Sequence, residues 1–233
     1  MINQEEIMKN KSLSNLGGVC SILVGIFYLI GGIAYLLTPV AQKATVGDPG
    51  QFLASFAKNS TFGTLEYFAF GLTGLLGIAV VRAVAEKAAS ESEGWVRWTG
   101  DLGVIGFAFL ALQYFRYISI YPDMAASFVG GDSATKAAIS ANQILVGVDP
   151  HQVITYGLLG FWFLVVNILA LRGNLWPRIL SYIGIVGAVA YWFVVGGLVS
   201  ETEMLITIAA GSAVIIAPIW YIWMGMVLRG SDS

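Results

Sequence analysis

Six stretches of this chain are each long and apolar enough to cross a lipid bilayer: Leu16–Leu37, Phe62–Val84, Val96–Tyr121, Pro150–Leu171, Ile179–Val199 and Met204–Leu228. A span takes about 20 apolar residues at roughly 1.5 Å rise each. Six such runs in 233 residues leave little chain for anything else. The expected fold is all-α: a single polytopic membrane domain over residues 1–233, a bundle of six transmembrane helices with two long outer loops. Composition agrees. Only 11% of residues are charged, against about a quarter in a soluble domain, so lipid must solvate much of the surface. The net charge of −2 and the absence of a basic block argue against a nucleic-acid partner. The one cysteine, Cys20, sits in an apolar run and reads as a small packing residue.

The punctuation between spans has physical sense. Thr38-Pro39 stops the first, and Trp176-Pro177 opens the fifth. Asp149-Pro150 reads as an N-cap with proline at the first helical position, where its missing N–H costs nothing. Ser200 and Glu203 have capping-box spacing before the sixth. The polar, mixed-charge N-terminus precedes an apolar run longer than the ~7–15 residues of a signal-peptide core, so a retained first helix is expected. Lys9, Lys11, Arg82, Lys87, Arg97, Arg172, Arg178 and Arg229 fall on one side; Lys43, Lys58, Arg116 and Lys136 fall on the other. That asymmetry predicts a multi-pass inner-membrane protein with both termini cytoplasmic.

The two outer loops, Pro39–Thr61 and Pro122–Asp149, contain pieces with helical spacing: Phe52, Phe56 and Ala57 in one, Ala137, Ile139, Ile144 and Leu145 in the other. Such loops serve as lids, binding loops or docking surfaces, or else form short amphipathic helices on the lipid surface. Glycines recur in the spans (Gly17, Gly18, Gly25, Gly71, Gly74, Gly77, Gly103, Gly106, Gly184, Gly187), where they let helix backbones approach closely. No internal repeat is evident.

The third span carries Gln113 and Arg116 inside its apolar run. The topology sets Arg116 on the order of 7 Å below the outer surface, level with Glu66 on the antiparallel second span. Intramembrane charges usually pair with one another or with backbone carbonyls. The most economical expectation is a Glu66–Arg116 ion pair. Gln113, Arg116, Tyr117 and Ile120 share a helix face, as do Glu66 and Thr73, while Asp149 and His151 lie on the same side of the membrane. These residues define a candidate ligand-binding pocket near the outer leaflet: Glu66, Gln113, Arg116, Tyr117, Asp149 and His151. Three bland readings stand beside it. Arg116 could snorkel to the interface beside Tyr117 and Tyr121, the ion pair could be a mere brace, and Asp149 could be only a cap. Asn167 reads as an interhelical hydrogen bond.

Residue counting excludes several chemistries. One histidine cannot supply a bis-histidine haem or a histidine-rich metal site. No lysine lies within a span to hold retinal, and neither a Walker loop nor a Gly-x-Ser-x-Gly elbow is present. No catalytic residue, cofactor or metal is therefore assigned. Aromatic runs such as Tyr191-Trp192-Phe193 and Trp220-Tyr221-x-Trp223 could stack on a pigment or quinone, but interface belts and helix packing explain them more simply. The expected function is binding or transport of a small or lipidic molecule at an outward-facing polar pocket. The alternative is a non-catalytic accessory or scaffold subunit that docks other membrane proteins. Membrane lipids are partners either way.

His151 with Tyr156-Gly157, the short Arg172-Gly173 connection and Leu175-Trp176-Pro177-Arg178-Ile179-Leu180 resemble a group of bacterial six-helix integral membrane proteins catalogued as a domain of unknown function. Gly25-Ile26-Phe27-Tyr28 and the Gln113/Arg116 pair are similar too. The resemblance covers nearly the whole chain. It implies an inner-membrane helical bundle and brings no known activity.

Overall fold

The computed structural model describes residues 4–43 and 48–230. Side chains at 4–11 (with Lys9 and Lys11), at Ile144 and at positions 203, 207, 210, 212 and 213 lie outside the described residues. Eight α-helices run through the described chain: α1 Gln4–Leu37, α2 Pro49–Lys58, α3 Thr61–Ala88, α4 Glu93–Gly130, α5 Ser133–Asn142, α6 Val153–Gly173, α7 Arg178–Val199 and α8 Glu203–Gly230. Short 3-10 turns occupy Val40–Gln42 and Gln143–Val146. Within α1, Ser12–Leu37 is long and apolar enough to cross a membrane, as are all of α3, α4, α6 and α7. The apolar stretch Val214–Gly230 of α8 is shorter. The protein is a helical membrane bundle.

The six long helices form a closed ring. Neighbours in it run α1–α3–α4–α6–α7–α8 and back to α1. Each long helix reverses the direction of the last, so one face carries the chain ends and the tight connections 89–92 and 174–177. The opposite face, here the loop face, carries α2 and α5. Glycines set the spacing. A Cβ on Gly25 would stand 3.0 Å from the Pro218 carbonyl of α8, and one on Gly106 would stand 3.0 Å from the Thr155 carbonyl of α6. Gly74 backs onto the Ala111 backbone and Gly77 onto the Phe107 ring, both on α4. The half of the ring nearest the termini is filled by large buried side chains, among them Phe107, Trp162, Trp220, Met224 and Leu228.

The helix ends differ from expectation in four places. First, α4 does not stop at Tyr121: it continues through Pro122 to Gly130. Proline removes one backbone bond and crowds the preceding turn, at a cost of about 3 kcal/mol. The extension is held by tertiary packing, with Ala125 buried and the Phe128 ring 3.3 Å from where a Gly50 Cβ would sit. Second, α6 begins at Val153, after a turn whose Gln152 has φ 53°. Asp149 still caps it from a distance, its Oδ2 accepting the Thr155 N–H at 2.7 Å. Third, the Ser200 hydroxyl turns back to the Gly196 carbonyl at 2.6 Å and helps close α7, while the Glu203 half of the expected capping box lies outside the described residues. Fourth, α1 starts well before Leu16, at Gln4.

Both outer segments hold a helix. Asp48 caps α2 by accepting the Gly50 and Gln51 N–H groups at 2.8 and 3.2 Å, with Pro49 at the first helical position. Leu53 and Phe56 bury that helix against the bundle, where it packs on α4. Asp132 caps α5 through the Thr135 N–H, a bond that holds its carboxyl below the usual carboxylate range. No α5 residue is buried.

One polar clamp fixes the approach to α6. Gln113, 1% exposed, donates from Nε2 to the Asp149 carbonyl at 3.1 Å and accepts the Asp149 N–H at 2.7 Å. Gln113→Leu strands both backbone groups in the interior, and an orphaned buried group costs about 1–3 kcal/mol. The variant should melt earlier in detergent and be cut by protease between residues 143 and 152. For the helix crossings, Gly77→Val should lose about 1–3 kcal/mol to overpacking against Phe107. Gly157→Ala, with nothing within 4 Å of its new Cβ, should be neutral or gain up to ~1 kcal/mol in helix propensity. Thermal melts of the two proteins check the contrast.

Candidate functional site

Large rings fill the terminal half of the ring of helices, but in the loop-face half the walls part. A cavity of about 640 Å³ lies there, roofed by α2 and the Gln143–Gly147 turn. Eight of the ten tyrosines line it: Tyr28, Tyr35, Tyr67, Tyr114, Tyr117, Tyr121, Tyr156 and Tyr191. Helical spacing aims them. Tyr114, Tyr117 and Tyr121 fall at i, i+3 and i+7 on α4; Gly63, Glu66, Tyr67 and Phe70 form the facing stripe on α3. The Tyr67 centroid is 5.9, 5.3 and 6.0 Å from those of Tyr114, Tyr117 and Tyr121, and Tyr117 stacks on Tyr121 at 5.0 Å. Phe70 lies 5.2 Å from Tyr114 and 5.7 Å from Tyr28. On the far wall the Tyr28 and Tyr191 hydroxyls share a 2.7 Å hydrogen bond.

A few polar groups punctuate this aromatic lining. Glu66, 9% exposed, is its buried carboxylate. Gln42, 5% exposed, spends its Nε2 on Ser55 Oγ and the Asn59 carbonyl. Its Oε1 is left without a protein partner, 3.2 Å from where a Gly63 Cβ would sit, one turn before Glu66. The Oε1 atoms of Gln143 and Gln152, also lining residues, are likewise buried and unpartnered. Lys43 sends its Nζ over the Tyr35 ring, 4.9 Å from the centroid.

The residues singled out from sequence separate into three groups. Glu66 and Tyr117 line the cavity. Gln113 and Asp149 do not: they are buried in the clamp and cap that hold the loop. His151 is exposed and outside the cavity. The expected Glu66–Arg116 ion pair does not form. Among the described residues the ion pair is Arg82–Asp101, 3.2 Å, on the bundle surface. Arg116 Nε donates instead to the Val146 carbonyl at 2.8 Å, and its side chain lines a separate shallow depression with Ile120, Met124 and Ile139. The reason is rotation about α4. Arg116 and Tyr117 differ by about 100° on a helix, and Tyr117 is the one turned inward. Asn167, on α6, accepts from Trp220 Nε1 of α8 at 3.2 Å.

Sequence reasoning passed over most of the tyrosines, together with Gln42 and Lys43. The available signal was the Tyr114-x-x-Tyr117-x-x-x-Tyr121 spacing, which marks an inward stripe one residue round from the one chosen. Tyr191 belongs to the cavity wall, whereas Trp220 and Tyr221 from the other aromatic run are fully buried in helix packing and Phe193 is exposed. Among the described residues no group of three histidine, cysteine or acidic side chains is placed to hold a metal.

No curated protein and no solved structure matches the chain. A family described as a domain of unknown function, DUF4386, matches residues 23–227. That match reaches all six long helices, from Leu23 of α1 to Val227 of α8, and takes in the whole cavity, and this integral membrane protein belongs to the DUF4386 family.

Proposed function

We propose that the bundle binds a small or lipidic amphipathic molecule in the tyrosine-lined cavity, as a carrier or transporter. One observation carries this reading: eight of ten tyrosines converge on a space of about 640 Å³ that also receives a buried carboxylate. Ligand sites are typically concave, about 300–1,000 Å³, mostly apolar, and marked by a few placed polar groups. Tyrosine suits such a wall because its ring is apolar and its tip is not. A protein acting only as an accessory subunit has no need of this space, and close packing of Glu66 would have favoured that role. The ligand-binding residues in this reading are Glu66, Tyr117 and their aromatic neighbours rather than Arg116, Gln113, Asp149 or His151.

The same reading sets the chain in a bacterial inner membrane with six spans, α8 supplying the sixth, and with both termini cytoplasmic. The lysine and arginine asymmetry supports that orientation. The cavity then lies toward the outer leaflet.

Native mass spectrometry of protein extracted in mild detergent should find a bound small or lipidic molecule on the wild type. Ala190→Trp, which fills the cavity from α7, should lose it. A saturating ligand at about 100 times its dissociation constant should stabilise the wild type by about 2.7 kcal/mol. Wild type and Ala190→Trp with identical adducts and melts would sink the reading. For orientation, cysteines are placed singly in a Cys20→Ser background and probed with an impermeant maleimide on intact cells. Ser133→Cys should label at once and Ser90→Cys only after the membrane is opened; the reverse pattern inverts the topology.

A further inference from the structure

The cavity wall is richer in electron-pair donors than in positive charge, which comes from Lys43 alone among its described lining residues. Glu66 supplies a carboxylate that has no ion-pair partner within 4 Å among the described residues. Gln42, on the 3-10 turn after α1, places a carbonyl oxygen 3.2 Å from where a Gly63 Cβ would sit, one turn before Glu66 on α3, and its amide nitrogen is already committed to Ser55 and Asn59. The amide cannot simply turn over, because the Asn59 carbonyl is an acceptor and requires the nitrogen. Tyr67, Phe70, Tyr114 and Tyr117 line the same cavity and pack against one another there. Ring faces carry negative potential and attract cations. A buried carboxylate, an orphan carbonyl and several aromatic rings together make an electron-rich pocket, and the one cation among the described lining residues, Lys43, acts on Glu66 only at a distance, without an ion-pair contact. The protein's own Lys43 already makes one such contact at the rim, over Tyr35.

We infer that the Glu66 end of the cavity is a subsite for an organic ammonium group, with the remaining apolar volume taking the hydrocarbon part of the same molecule. This rests on the cavity-binding reading above and names its ligand class. The charge of an alkylated ammonium is spread over its carbon substituents and its hydration is weak, so it enters an aromatic enclosure at less cost than a metal ion does. Glu66 then provides the counter-charge, the tyrosine faces surround the methyl or methylene groups next to nitrogen, and the Gln42 carbonyl accepts from an N–H where the ligand has one. Lys43 opposes the ligand's charge from across the rim and tempers its affinity.

Three probes of matched shape test the inference: benzyltrimethylammonium, its uncharged carbon isostere neopentylbenzene, and anionic phenylmethanesulfonate. Equilibrium dialysis against protein in nanodiscs, corrected for empty nanodiscs, measures binding of each. The cation should bind about tenfold or more tighter than the uncharged isostere, and the anion weakest of the three. Glu66→Gln should erase the cation's advantage and leave neopentylbenzene within about threefold of wild type. Lys43→Gln should strengthen the cation, and this arm reads the sign of the site even where Glu66→Gln does not fold. Equal binding of cation and isostere, or weaker cation binding in Lys43→Gln, overturns the ammonium subsite while the cavity reading stands. Preference for the anion overturns it too. Binding of none of the three probes overturns both.

Discussion

Backbone-to-backbone contact at small residues is the interaction on which the rest of this fold depends. Lipid tails are as apolar as leucine, so helices in a bilayer gain nothing by hiding leucine from lipid and must instead gain from close packing. The helix α1 illustrates the solution. Gly17 meets Ala83 and the Ala79 carbonyl of α3, while Gly18, Gly25 and Gly32 meet α8 at Arg229, Ile222 and Val214 in turn. One helix thus seals two neighbours along most of its length and closes the ring. The same device appears at Gly74 and Gly77 between α3 and α4, at Gly103 and Gly106 between α4 and α6, and at Gly184 beneath Asn167 between α7 and α6.

Close packing cannot hold at both ends. Bulky rings mesh with the glycines in the terminal half, where Gly103 receives Trp162 and Gly77 receives Phe107. Toward the loop face, large side chains oppose one another across the ring: Tyr67 faces Tyr114, Tyr117 and Tyr121, and Tyr28 faces Tyr191. Rings that meet edge to face or tilted hold their helices apart, and the space between them remains. The roof depends on short-range polar anchors, with Gln113 and Asp149 holding the α6 approach and Gln42 bonding to Ser55 and Asn59 around α2. Two residues read as pocket residues from sequence, Gln113 and Asp149, are fastenings of the loop instead.

The long helices and their glycine contacts were legible because they follow from bilayer thickness and from backbone geometry, which local sequence controls. The cavity was not, because it depends on helix rotation, which local sequence does not control. Choosing Gln113, Arg116 and Tyr117 as the inward stripe, rather than Tyr114, Tyr117 and Tyr121, is an error of one residue. It carried the attention to polarity, on the premise that polar side chains must point inward. Arg116 escapes that premise through its length, since a long stem reaches the Val146 carbonyl at the end of a 3-10 turn that no sequence pattern announced. Pro122 misled for a similar reason: a proline ends a helix only where nothing else holds the next turn, and here Ala125 and Phe128 do.

The two charges once expected to neutralise each other therefore meet different fates, and their side-chain lengths decide which. Arginine brings several donors on a long stem and can satisfy itself on whatever carbonyl lies near. Glutamate is short, and when ionised it only accepts, so it must take what its immediate surroundings offer. On α3 those surroundings are Gly63, Tyr67 and Phe70, none of which carries a positive charge, and Lys43 acts on it only at a distance, without an ion-pair contact. Burying a carboxylate beside a carbonyl and aromatic faces is unfavourable for the protein alone. A fold with so few charged residues gains no stability from an ionised carboxyl there, and in the proposed reading a cationic ligand offsets that cost.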